Sequence, residues 1–178
     1  MGLQQGHISQ GRTLLSPYLP QPGVSSSSYS EGGSLFALGL INANHGSGVL
    51  GYLRDSLKNT QIEVVQHGAC LGVGVAGMAT DSSEIYEELK SVLFSDSAVA
   101  GEAAGLAMGL VMLGTASKTA IEEMLQYAHE TQHEKIIRGL AIGMSLIMYG
   151  QEENADVMIE QLCGDKVLCF FLNNRIRF

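Results

Sequence analysis

Hydrophobic positions along this chain alternate between two patterns. In the first, small and apolar residues run almost unbroken: LFALGL at 35–40, CLGVGV at 70–75, GLAMGL at 105–110 and GLAIGM at 139–144. In the second, apolar residues stand three or four apart with charges between them. Val49, Leu50, Leu53 and Leu57 surround Arg54, Asp55 and Lys58, and Ile85, Leu89 and Val92 alternate with Glu84, Glu87, Glu88 and Lys90. Ile121, Met124, Leu125 and Ala128 accompany Glu122 and Glu123, and Val157, Met158, Ile159 and Leu162 accompany Asp156 and Glu160. That spacing has the period of a helix with one buried face.

The first pattern recurs at offsets of 35, 35 and 34 residues, with a fixed glycine at 39, 74, 109 and 143. Ala79-Thr80 and Gly114-Thr115 keep the same register. Each unit therefore reads as a small-residue inner helix, a turn, and an amphipathic outer helix. Ser82 or Ser83, and Ser117, are placed to cap outer helices. One such pair cannot bury its apolar faces alone, whereas stacked pairs share a continuous core. The predicted fold is all-α: an α-solenoid or partial toroid of about four ~35-residue helix pairs, spanning 32–166.

Composition sharpens this picture. Glycine supplies 22 of 178 residues, well above the usual ~7%. Gly68 and Gly72, Gly105 and Gly109, and Gly139 and Gly143 are each four apart, on one face of a helix. Glycine inside a helix costs roughly 1 kcal/mol against alanine, so its repeated use there predicts close backbone approach between helices. All three prolines, Pro17, Pro20 and Pro22, precede the array. With Ser25 to Ser28 they mark residues 1–31 as a flexible segment with at most a short helix near 11–15.

The balance of 46% hydrophobic and 16% charged residues argues for a packed chain rather than a disordered one. A net charge of −8 argues against a nucleic-acid partner, which needs clustered Lys and Arg. No apolar run reaches the ~20 residues of a membrane span, and the N-terminus lacks a signal-peptide pattern. Cys70, Cys163 and Cys169 are too few and too scattered for a disulfide framework. The expectation is a soluble intracellular protein.

Two motifs suggest chemistry. Gly72-Val73-Gly74-Val75-Ala76-Gly77 matches the dinucleotide-binding G-x-G-x-x-G, yet that loop requires a strand before it and a helix starting on it. Here the segment is one phase of a four-fold repeat. His129-Glu130-Thr131-Gln132-His133 matches H-E-x-x-H, in which two histidines share a zinc ion and the glutamate acts as general base. A zinc-dependent metallohydrolase using His129, Glu130 and His133 is thus the alternative function, with Glu152 or Glu153 as a third ligand. Against it, Thr131 and Gln132 are polar, and the motif falls at a junction between units, where the histidines need not share a helical register. His67 with Cys70 is a pair without partners, and His45 precedes Gly46 in a helix-ending turn. The sequence places no Ser/His/Asp or Cys/His constellation, no catalytic residue and no cofactor.

The array carries longer matches. Glu31-Gly32-Gly33 before the first apolar run, Ala43 to Gly46, Gln66 to Gly72, AVAGEAAGLAMGLVML at 98–113 and YAHETQHEKIIRGL at 127–140 resemble the proteasome/cyclosome-repeat scaffold subunits of the 26S proteasome regulatory-particle base. Gln10 to Arg12 and Pro17 to Pro20 give the resemblance a plant-like form, and it spans roughly 6–166. It implies a non-catalytic scaffold, placed in cytoplasm and nucleus. It also implies partners among regulatory-particle subunits, including the base ATPases, with ubiquitinated substrates met only indirectly. In that family the repeats close a ring, flanked by a helical rod and a C-terminal docking segment that this sequence does not show. Residues 167–178 match nothing in a following repeat and resemble the tail of a shortened gene product. The array is then expected to expose an apolar face at 143–162, with self-association or poor solubility as the result.

Overall fold

The computed structural model describes residues 5–20 and 27–165. They form α1 (Gln5–Leu15), α2 (Ser28–Ile41), α3 (Leu50–Asn59), α4 (Glu63–Ala76), α5 (Ser83–Leu93), α6 (Ala98–Val111), α7 (Lys118–Glu130), α8 (Glu134–Ile147) and α9 (Glu153–Gly164), with short 3-10 turns at Ser16–Tyr18 and Gly46–Gly48. No strand occurs among the described residues. None of their helices is long and apolar enough to cross a membrane.

The small-residue helices α2, α4, α6 and α8 pack side by side in chain order. They run parallel, because Gly32 meets Val64 at one end of the α2–α4 contact and Gly39 meets Gly72 at the other. A Cβ added to Gly39 would stand 2.5 Å from the Gly72 backbone, so the two helices touch main chain to main chain. Gly109 stands in the same relation to Gly143. The amphipathic helices lie along this row, each packed chiefly on the inner helix that follows it: α3 on α4, α5 on α6 and α7 on α8. One continuous core results, with Leu35, Leu53, Leu89, Met108, Met124, Leu140 and Ile147 fully buried. Each such side chain contributes about 1.5–3 kcal/mol.

The turns between inner and outer helices are built alike. Ala79 and Asp81, Gly114 and Ala116, and Gly150 and Glu152 all have positive φ. This backbone aims amide groups at the neighbouring unit. Ala79 and Asp81 donate to Leu110 and Val111, and Gly114 and Ala116 donate to Leu146 and Ile147, all at 3.0–3.1 Å. Helix C-termini leave carbonyls without partners, and here the turns at Ala79–Asp81 and Gly114–Ala116 cap the next inner helix. N-termini are capped locally by Ser82, Ser97 and Ser117, which accept from the amides of Ile85, Ala100 and Ala120.

Three expectations change in the structure. First, α6 and α8 begin 36 residues apart, so Ser145, not Gly143, is the fourth equivalent of Gly39, Gly74 and Gly109. The extra residue arises because α7 has 13 residues where α5 has 11, while the junction after it is one residue shorter, 131–133 against 94–97. Second, the N-terminal helix runs over Gln5–Leu15, longer than expected, and α2 begins at Ser28, inside the segment expected to be flexible; residues 21–26 of that segment lie outside the described residues, as do 166–178. Third, the turn after α2 takes its positive φ at Asn44. Gly46 is instead required by close approach, since a Cβ there would strike the Ala76 carbonyl.

Candidate functional site: the seams between repeats

Polar chemistry in this chain concentrates where one unit meets the next. On the outer side, Arg54 of α3 forks onto Glu88 of α5 at 2.8 and 2.6 Å and reaches Glu84 at 2.5 Å, while Lys58 meets Glu88 at 2.7 Å. The Arg54 hydrogen bonds hold the Glu88 carboxyl below its ordinary value, against a smaller opposing effect of burial. Across the next seam Lys90 meets Glu123 at 3.2 Å, and the Tyr86 hydroxyl donates to Glu123 at 3.1 Å. Hydrogen bonding to Glu87, and then to Glu123, raises Lys90, and burial raises the Tyr86 phenol.

A third set gathers on Asp96 in the junction after α5. Its carboxylate accepts from the Tyr127 hydroxyl at 3.0 Å and the Thr131 hydroxyl at 2.8 Å, and His133 stands 3.7 Å away. The same hydroxyl lies 3.0 Å from the Leu93 carbonyl, so its single proton is shared between that oxygen and Asp96. Burial first, then Asp96, pushes the Tyr127 phenol up to about 12. On the inner side Arg138 of α8 pairs with Glu102 of α6, and a His67 ring nitrogen meets the Val99 carbonyl at 2.9 Å. These partners lie 30–37 residues apart in sequence, close to one repeat.

The H-E-x-x-H segment does not form one helical face. His129 and Glu130 end α7, Thr131 is extended, and His133 is the residue before α8. His129 faces Asp165 at 2.9 Å, Glu130 accepts from Gln126 at 2.9 Å, and His133 faces Asp96. The two imidazoles thus serve different carboxylates. No group of three His, Cys, Asp or Glu side chains among the described residues is arranged to hold a metal. The glycines of 72–77 sit inside α4 and at its C-terminal end. A pyrophosphate there would meet the negative end of the helix dipole rather than the positive one. Cys70 is fully buried, and burial alone raises its thiol to about 12, the behaviour of a packing residue. His45 contacts the Ala43 carbonyl at 2.9 Å within its own turn.

Sequence reasoning missed Tyr86, Asp96, Tyr127 and Thr131. Their signal was present in the same 35-residue offset that revealed the glycines, but partner types differ from seam to seam. Arg54 and Lys58 meet Glu88 across one seam, Lys90 and Tyr86 meet Glu123 across the next, and Tyr127 and Thr131 meet Asp96, so no set of partners recurs unchanged.

A row of parallel helix pairs with capped inner helices and polar seams defines a helical-repeat protein. The family model described as proteasome/cyclosome repeat matches residues 33–66, 68–102 and 103–137, and the chain belongs to that family. It is 60% identical over 166 residues to the 26S proteasome non-ATPase regulatory subunit 1 homolog A of Arabidopsis thaliana. It is 57% identical over 164 residues to the 26S proteasome regulatory subunit rpn2 of Schizosaccharomyces pombe, and 53% identical over 164 residues to the Drosophila melanogaster non-ATPase regulatory subunit 1. Each match covers 92% of this chain but only 16–17% of the relative. The chain thus spans about a sixth of the length of these curated relatives.

Proposed function

We propose that this chain is a non-catalytic scaffold component of the base of the 26S proteasome regulatory particle, acting in ubiquitin-dependent protein degradation. The observation that carries this reading is the 53–60% identity, over 92% of the chain, to regulatory subunits of that particle. The geometry agrees with it. Every polar cluster described above joins one repeat to its neighbour, a use of charge that stabilises an array. Partners are other regulatory-particle subunits, the base ATPases among them, and ubiquitinated proteins are met only through them. The working compartments are cytoplasm and nucleus.

Affinity capture of the tagged chain from cells, with quantification of regulatory-particle subunits against a scrambled-seam variant (Arg54→Glu with Arg138→Glu), tests the proposal. Stoichiometric base subunits on the wild type and their loss on the variant are expected. A wild-type chain that recovers no regulatory-particle subunit sinks it.

A further inference from the structure

The seam between α5 and α7 departs from the others, and its departures gather around one tyrosine. The last buried position of each outer helix is Leu57 on α3, Leu93 on α5 and Ala128 on α7. The residues that follow are therefore equivalent: Lys58, Phe94 and His129. Two are polar, whereas Phe94 is an aromatic side chain left 57% exposed. A single exposed apolar residue is ordinary, but Phe94 lies against Tyr127 of the next outer helix, ring centroids 5.0 Å apart. The junction it opens, 94–97, has four residues where 60–62 and 131–133 have three, and it turns through Asp96 at a φ of 55°. Asp96 reaches the same tyrosine. Its Oδ1 accepts from the Tyr127 and Thr131 hydroxyls, while Oδ2 has only His133 at 3.7 Å, beyond hydrogen-bond reach. Glu130, less than one helical turn past Tyr127, is exposed, and its charge acts on the Tyr127 phenol. The charge balance differs too. Elsewhere a cation of the adjoining unit meets the seam carboxylate: Arg54 for Glu88, Lys90 for Glu123 and Arg138 for Glu102. Among the described residues neither Asp96 nor Glu130 pairs with a Lys or Arg.

We propose that this seam binds an arginine side chain carried by a basic segment of a partner protein. The guanidinium plane stacks on the exposed Phe94 ring beside Tyr127, and its N–H groups donate to Asp96 Oδ2 and to Glu130. Charge complementarity carries the choice of occupant, because the partner supplies the cation that the other seams draw from this chain. Arginine suits the place better than lysine. It stacks on aromatic faces and donates from a planar fork, whereas an ammonium is a strongly hydrated point charge. An apolar partner is the poorer occupant, since it would strip water from two carboxylates without replacing their hydrogen bonds. The inference goes beyond the scaffold reading, and its test needs no other subunit.

The test titrates the isotopically labelled full chain with the peptide acetyl-Gly-Leu-Arg-Leu-Gly-amide, and with its lysine, citrulline and leucine counterparts at the central position. Nuclear magnetic resonance reads the Phe94 and Tyr127 ring signals and the amides of 94–97 and Glu130. Saturable shifts confined to these groups are expected with the arginine peptide. Citrulline keeps the shape and removes the charge, so it should bind about fivefold more weakly or worse, with leucine no better and lysine between. Phe94→Lys installs the residue that the equivalent position already holds at Lys58. It should leave the amide spectrum of the rest of the chain in place and weaken the arginine peptide by a similar factor, as should Asp96→Asn. Absence of saturable shifts at this seam overturns the proposal. So does equal affinity for the citrulline or leucine peptide, a comparison made on the wild type that needs no variant to fold. Binding that a folded Phe94→Lys chain keeps at full strength also overturns it.

Discussion

The guanidinium of Arg54 on α3 spans both oxygens of Glu88 on α5, Nε to Oε2 at 2.8 Å and Nη2 to Oε1 at 2.6 Å. Both side chains are about four-fifths buried, at 20% and 18% exposure, so solvent screens the pair less than a typical surface bridge. Planar two-point pairing of this kind is specific to arginine. It ties two outer helices that share no extensive backbone contact.

Arg54→Ala should therefore lower stability by about 1.5–3 kcal/mol, the range for hydrogen bonds to a charged group, and toward its lower end because Lys58 still faces Glu88. Arg54→Lys should restore only part, because an ammonium cannot fork. The pair also sets an acid dependence. The folded Glu88 carboxyl lies below its unfolded value, so its contribution is present above the ordinary carboxylate range, about pH 4.3. It is lost as pH falls through the lower, folded value. Urea midpoints measured from pH 7 to 3 should fall less steeply in Glu88→Gln than in wild type; identical slopes would remove Glu88 from the account.

Gly109 and Gly51 make a controlled comparison, since both lie inside helices but only Gly109 meets another backbone. An alanine at Gly51 has nothing within 4 Å and should stabilise by roughly 0.5–1 kcal/mol through helix propensity. Gly109→Ala would press its Cβ into the Gly143 main chain. Overpacking of that kind costs about 1–3 kcal/mol, which outweighs the propensity gain and reverses the sign. Denaturant titration of the two variants decides it, and equal stabilisation of both would refute close approach as the reason for the glycines.

This contrast also explains what could be read directly from the sequence. The inner and outer helices were legible because burial imposes a period on Leu53, Leu57, Leu89 and Met124, and because main-chain contact leaves no room for a Cβ at Gly39, Gly72 and Gly109. The final register was not legible. GLAIGM at 139–144 aligns best by residue type at an offset of 34, whereas the backbone shift is 36, made by a longer α7. Asp96 was illegible for another reason. Its partners Tyr127 and Thr131 are ordinary residues of the neighbouring unit, and only the stacked geometry brings them to one carboxylate.

Alkaline titration should single out Tyr127. Its phenol is raised to about 12 by burial and by Asp96, so the folded state keeps a proton that the unfolded chain gives up near pH 10. The contribution is complete below that unfolded value and disappears as pH rises through the folded one, so stability should fall between about pH 10 and 12. Phenolate absorbance should show late-titrating tyrosines that shift to the ordinary range on unfolding. In Asp96→Asn the Tyr127 transition should move down while the burial contribution persists; no movement would show that Asp96 does not act on the phenol.

The divided H-E-x-x-H segment makes the last prediction. His129, at the end of α7, faces Asp165 at 2.9 Å, and His133, in the junction before α8, faces Asp96 at 3.7 Å, each ring more than two-fifths exposed. Pairs this exposed contribute about 0–1 kcal/mol. His129→Ala and His133→Ala should therefore lower stability by no more than about that amount, singly or together, and the effects should add because the rings have different partners. A shared zinc ion predicts the opposite pattern: losing either ligand would abolish binding, and the double variant would cost little beyond one single variant. Zinc titration by calorimetry on the wild type and the three variants separates the two outcomes. One tight equivalent on the wild type, lost in either single variant, would require the junction to refold into a continuous helix and would overturn the reading of these histidines as seam residues.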